Sequence, residues 1–262
     1  MMLLQEEMSV VELIRRGNLD SPLAAFLWIM LEHRASIIVA AGPRQVGKST
    51  VLHALTAFLP SDTAMAYTQG VTEDFSFIEQ TKASSTFIVV NELSDHTPYY
   101  LWDTKVARLF DLLEMGYAMG ATMHADRPEE VISALSDEPA NIPPASIAAH
   151  LNLIIFLGAF KGRDQVIRRI TAVCGIRPNP LAPGGVGIRS LAAWQPDTDT
   201  FTIFKSPEAL EELAQWAHAS SQELQREVST RAALLDDLLE GGTTNFDAVR
   251  DAVLKYMEYH GR

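Results

Sequence analysis

The sequence predicts an α/β fold with a mainly parallel sheet, an antiparallel strand extension and C-terminal helices. Three observations carry this. A buried strand from Ile37 to Ala41 runs straight into Gly42, Pro43, Arg44, Gln45, Val46, Gly47, Lys48, Ser49 and Thr50, which meet the Gly-x-x-x-x-Gly-Lys-[Ser/Thr] spacing of a phosphate-binding loop. From there to residue 160, short apolar strands alternate with helix-patterned segments, as a parallel sheet covered on both faces requires. Beyond residue 160 the pattern changes to period-two strands and turns, then to three helical segments.

Taken in order, Ser9 to Arg16 reads as a short amphipathic helix stopped by Gly17. Asp20 and Ser21 are placed to cap a second helix, SPLAAFLWIMLEH, with Pro22 in its first turn. LHALTAFLP forms the helix after the loop, and Pro60 ends it. AMAYT (64–68) is a short strand, separated by a polar stretch from TFIVV (86–90), a strand that ends at Asn91 and Glu92. The segment 101–118 is apolar at Leu101, Val106, Leu109, Phe110 and Leu113, the spacing of one helix face, with Gly116 and Gly120 closing the helix. GATMHA then reads as strand, RPEEVISAL as helix, and Leu151 to Gly158 as strand. Lys161, Gly162, Arg163 and Asp164 form a turn before the alternating run QVIRRITAVCGI. RPNPLAPGGVG is loop by its prolines and glycines, and IRSLAAW and FTIF flank QPDTDT as a hairpin. PEALEELAQWAHA, QELQREVSTRAALLDDLLE and FDAVRDAVLKYMEYH are the closing helices, with Gly241 and Gly242 between the last two. The expected division is a nucleotide-binding core over 1–160, a strand extension over 161–205 and a helical appendage over 206–262.

Composition narrows the function. With 262 residues and 47% hydrophobic content the chain can bury a sizeable core. A net charge of −12 disfavours a nucleic-acid partner, because such binding rests on neutralising phosphates. The single cysteine, Cys174, excludes an intramolecular disulfide and a cysteine-built zinc cluster, and reads as a small buried hydrophobe. Neither LAAFLWIML nor LNLIIFLGAF approaches a membrane span, and the acidic start MMLLQEE does not resemble a secretory signal. A cytoplasmic protein is expected, held at the inner membrane, if at all, through partners.

The loop chemistry points to nucleotide. Glycines let the backbone wrap a polyphosphate with N–H groups turned inward. Lys48 places a positive charge against the β- and γ-phosphates, and Ser49 offers its hydroxyl to Mg²⁺. Ligands of such sheets sit at the carboxyl edge of the strands, where Glu92 and His124 also fall. Glu92 is a candidate for orienting water and His124 for contacting the γ-phosphate, against the plainer readings of a solvated acid and a packing histidine. ATP and Mg²⁺ are the expected cofactors.

The run GNLDSPLAAFLWIMLEHRASIIVAAGPRQVGKSTVLHALTAFLP resembles the motor domain of the type II/type IV secretion and type IV pilus ATPases, especially the archaeal-type branch. VVNELSD takes the place of that family's modified Walker B, GYAMGATMHADRPEEVISAL is similar to its histidine box, and segments to about residue 258 follow in order. The resemblance implies a RecA-like ATPase core, assembled as a ring, usually a hexamer, acting on a secretion or pilus protein at the inner membrane. It implies catalytic parts for Lys48, Glu92 and His124. The chain also departs from the family. It starts almost at the core, without the separate N-terminal domain. Gln69 and Gly70 stand where an acidic pair is expected, with Glu73 and Asp74 a few residues on, and Asn91 replaces a glycine. Arg127, Arg163, Arg168, Arg169 and Arg189 are candidates for inter-subunit contacts, or ordinary ion pairs. Two functions follow: a hydrolysing motor subunit, or a nucleotide-binding adaptor derived from one. A stand-alone kinase or DNA motor is disfavoured by the absence of an acceptor motif and by the charge.

Overall fold

The computed structural model describes residues 8–162, 165–203 and 206–260. The N-terminal stretch 1–7, the turn residues Arg163 and Asp164, and the end of the last predicted strand at Phe204 lie outside them. The elements are α1 (Val10–Arg15), α2 (Ser21–Glu32), β1 (Ile37–Ala40), α3 (Lys48–Leu55), β2 (Ala64–Tyr67), β3 (Thr86–Val90), α4 (Thr104–Glu114), β4 (Ala118–Met123), α5 (Pro128–Ser136), α6 (Pro144–His150), β5 (Leu153–Lys161), β6 (Val166–Pro178), β7 (Val186–Gln195), β8 (Thr200–Ile203), α7 (Pro207–Trp216), α8 (Ser221–Glu240) and α9 (Phe246–His260). One sheet runs in the order β2-β3-β4-β1-β5-β6-β7-β8. Its first five strands are parallel and the last three pairings antiparallel, so the expected α/β class, with strand extension and C-terminal helices, is the fold observed.

Burial of β1 on both sides explains its unbroken apolar run. Ile37 and Val39 belong to a core shared with α1, α2, α3, α8 and α9, whereas Ile38 and Ala40 face a second core under α4, α5 and α6. Helix α2 is buried almost all round, with Trp28 at its centre stacked on Phe58. Its expected cap is present, Asp20 accepting the Leu23 N–H at 2.9 Å.

Two stretches differ from expectation. The helix over 101–118 is shorter: Asp103 caps α4, Gly116 ends it at φ +101°, and Leu101 belongs instead to a bridge with Leu93. Gly120 therefore closes no helix. It lies inside β4, where a Cβ would sit 2.6 Å from Leu52 and 2.8 Å from the Phe87 ring. The glycine serves close approach of α3 to the sheet. Secondly, 144–150, which no periodic signal marked, forms α6 with Pro144 in its first turn.

Candidate functional site

The phosphate-binding loop emerges from β1, from which the chain runs to β2 at one edge, whereas the neighbouring β4 connects across β1 to β5 on the other side, leaving a crevice at the strand ends. Gln45 at φ +62° and Gly47 at φ +105° turn the loop, and Gly47 then stands at the N-cap of α3 with no side chain capping the first turn. The first N–H groups of α3 thus keep their free donors and the positive end of the helix dipole. Val46 is buried in the core, so only its backbone faces the loop's concave side. Pro43, Arg44, Gln45 and Ser49 are exposed, and Gly42, Gly47 and Thr50 half-buried.

Lys48, Glu92 and His124 come from the start of α3 and the ends of β3 and β4, and they meet. Lys48 Nζ lies 3.4 Å from Glu92 Oε2 and 3.2 Å from His124 Nε2, and His124 Nε2 lies 3.4 Å from Glu92 Oε1. His124 Nδ1 is 2.9 Å from the carbonyl oxygen of Gly42. A carbonyl only accepts, so Nδ1 carries the hydrogen, and Nε2 lies between the Lys48 ammonium and the Glu92 carboxylate. The imidazole thereby ties the loop to the lysine. Burial pushes the Lys48 ammonium below its ordinary pKa, with Glu92 acting the other way. Glu92 is held by its backbone: its carbonyl accepts from Leu101 at 2.9 Å, and Leu93 donates to Thr122 of β4 at 2.8 Å.

Two neighbours have no role assigned from sequence. Asp126, within the stretch similar to the histidine box, accepts the Gly42 N–H at 3.0 Å, and His96 lines a cleft of about 650 Å³ with Lys48, Glu92 and His124. Both sit on irregular segments, where periodicity marks no side chain. A second cleft, of about 930 Å³, lies on the other side of Gly47 and Thr50, between α1 and the start of β6.

Glu73 does not enter either cleft. Its carboxylate accepts the backbone N–H groups of Gln69 at 2.6 Å and Phe75 at 2.7 Å, and Lys105 donates to its carbonyl. Asp74 accepts from the Ser76 N–H and is exposed. Of the arginine candidates, Arg127 pairs with Glu130, Arg169 with Asp199, and Arg189 with Glu212. Arg168 makes no ion pair among the described residues and runs past Gly47, where a Cβ on the glycine would lie 3.8 Å from the arginine Cδ. Arg163 falls outside the described residues. Cys174 is buried and its thiol is pushed up to about 11 by desolvation, as an inert packing residue would be.

No helix among the described residues is long and apolar enough to cross a membrane. No protein-family model matches the chain. Two uncharacterized proteins of Methanocaldococcus jannaschii are similar to it: MJ1287, 26% identical with 95% of this chain and 98% of the relative covered, and MJ0900, 25% identical with 95% and 49% covered. The chain therefore spans about half the length of MJ0900. Among solved structures, the VirB11 ATPase of the Brucella suis type IV secretion system is 16% identical, with a TM-score of 0.41 over 62% of this chain and 54% of that one. The ATPase DotB of Yersinia pseudotuberculosis is 13% identical, at a TM-score of 0.43 over 92% and 62%. That of Legionella pneumophila is 14% identical, at 0.38 over 87% and 59%.

Proposed function

We propose that this protein binds and hydrolyses ATP as a motor-type subunit of a type II/type IV secretion or type IV pilus-like machine. The observation that carries the reading is the convergence of Lys48, Glu92 and His124 within 3.4 Å of one another beside an uncapped helix N-terminus. Such a site suits a polyphosphate. The free N–H groups of α3 offer hydrogen bonds, and an anion would offset the desolvation that depresses Lys48. Ser49, at the first turn of α3, is the residue to hold Mg²⁺, the remaining positions falling to phosphate oxygens and water.

When bound, ATP supplies the anhydride bond to be broken and Mg²⁺ the counter-charge on its phosphates. The chain's own residues position and stabilise. Lys48 exchanges Glu92 for a phosphate oxygen, and the released carboxylate is free to orient water. His124, hydrogen-bonded to the loop through Gly42 and to Lys48, reports the change to β4. The loop residues 42–50 cradle the phosphates. In this proposal the subunits form an oligomer, a ring and in its fullest form a hexamer, at the cytoplasmic side of the inner membrane through a secretion or pilus partner. The charge of −12 disfavours nucleic acid, which is not among the proposed partners.

One observation favours a second reading, a nucleotide-binding adaptor with little turnover. Glu73, the acid nearest the expected acidic pair, is committed to its own loop. Calorimetry with Mg·ATP and phosphate release at several protein concentrations separate the two. For the motor, Lys48→Ala abolishes binding, whereas Glu92→Gln keeps binding and loses about 100-fold or more in turnover. Tight binding by the natural protein with no turnover above Glu92→Gln selects the adaptor.

A further inference from the structure

The loop between β3 and α4 is closed at its neck and holds a histidine over the phosphate end of the site. Leu93 and Leu101 are buried and bridged, and Ser94 N–H donates to the Leu101 carbonyl at 3.2 Å. Within the loop, Ser94 Oγ accepts the backbone N–H of His96 at 3.1 Å and lies 2.7 Å from His96 Nδ1. The hydroxyl has one hydrogen. Oγ keeps a second lone pair after accepting the backbone N–H, so a neutral His96 ring either receives the hydroxyl hydrogen at Nδ1, with its own proton on Nε2, or donates from Nδ1 to Oγ; an anion at the outer edge selects the first. A charged ring donates from Nδ1 to Oγ and still carries a proton on Nε2. Facing an anion, the outer edge of His96 is therefore an N–H donor.

That edge has a defined neighbourhood. The His96 and His124 rings meet edge to face at 6.0 Å, and both line the cleft that contains Lys48 and Glu92. The second cleft beyond Gly47 and Thr50 does not include His96. Thr97, next in the loop, lines the His96 cleft too, and its buried hydroxyl has no hydrogen-bond partner. The loop is therefore short of one bond that a small shift toward a ligand would supply.

We propose that His96 donates through Nε2 to the terminal phosphoryl group of a bound nucleoside triphosphate, opposite Lys48, and so distinguishes triphosphate from diphosphate. This rests on the nucleotide reading above. The charge-assisted bond goes to the third phosphate because His96 stands on the Glu92–His124 side of the cleft, where its ring meets that of His124.

The test is calorimetry with Mg·ADP and with the non-hydrolysable Mg·adenylyl imidodiphosphate. His96→Ala is expected to weaken the triphosphate analogue by about tenfold, as loss of one charge-assisted hydrogen bond implies, and to leave ADP unchanged. His96→Gln, whose amide offers an N–H at a similar reach, is expected to recover most of the loss. Equal losses for both nucleotides, or no loss, overturn the assignment while Lys48-dependent binding by the natural protein keeps the nucleotide reading. Absence of any binding by the natural protein overturns both.

Discussion

At the scale of single residues, the clearest effect of the fold on a side chain is at Glu12. It lies on the buried side of α1 and accepts from Arg15 Nε and Nη2 and from Arg16 Nε at 2.6–2.7 Å. The hydrogen bond from Arg15 outweighs desolvation and brings its pKa from 4.5 to about 2. A depressed carboxyl contributes stability that is complete above its unfolded pKa and is lost as pH falls through the folded one. The window here runs from about 4.5 down to about 2. Glu12→Gln is therefore expected to lower Tm at pH 7 and to lose most of that difference by pH 2.5; an equal difference at both would locate the effect in packing. Residues differ in how far they were legible beforehand. Lys48, Ser49 and the two loop glycines announce themselves because the motif encodes a backbone shape. Glu92 and His124 were reachable by position, each closing an apolar strand. His96 and Asp126 were not, since their place depends on loop geometry: the Ser94 hydroxyl aims one, and the Gly42 N–H donates to the other.

Among elements, Gly120 shows why a glycine near a helix end is ambiguous. Gly116 and Gly120 both follow an apolar helical pattern, and only the first takes a positive φ. The second is needed because β4 passes under Leu52 of α3 and Phe87 of β3 with no room for a methyl group. Periodicity reports which residues are buried, not how closely two backbones approach. Gly120→Ala is expected to cost about 1–3 kcal/mol through overpacking, read as a lower urea midpoint with unchanged m-value. Because Leu52 stands one turn beyond Lys48, the same change should weaken nucleotide binding. An unchanged midpoint would mean that Leu52 has space to turn aside. Helix α6 was illegible for a different reason: the pair Pro143 and Pro144 reads as loop, yet Pro144 opens the helix, where its missing N–H costs nothing. The strands with strong apolar runs or alternation were legible within two or three residues, β5 running on to Lys161 where a turn was expected.

Across the whole molecule, the question is whether the division proposed from composition is also a division of folding. Helices α8 and α9 belong to the same hydrophobic core as α1, α2 and α3, and Arg231 of α8 is one of the polar fastenings, beside Ser21 with Asp236 and Arg250 with the Thr56 carbonyl. Arg231 is buried, pairs with Glu32 of α2 and Glu227 of its own helix, and lies over the rings of Trp28 at 4.8 Å and Tyr256 of α9 at 5.3 Å. The guanidinium thus joins the C-terminal helices to the helix that precedes the nucleotide loop. Removing it leaves the partly buried Glu32 without its partner and strips the rings of Trp28 and Tyr256 of their cation, at a cost below that of a fully buried broken pair, about 3–5 kcal/mol. In the proposed three-part arrangement, the parts differ in task while one core couples them, so Arg231→Ala is expected to lower Tm in a single transition seen together by far-ultraviolet and near-ultraviolet circular dichroism. Two separated transitions in the variant would instead mean that the helices fold apart from the sheet. Because α3, α8 and α9 share that core, a shift of α3 would be felt by both C-terminal helices, which one cooperative transition would reflect.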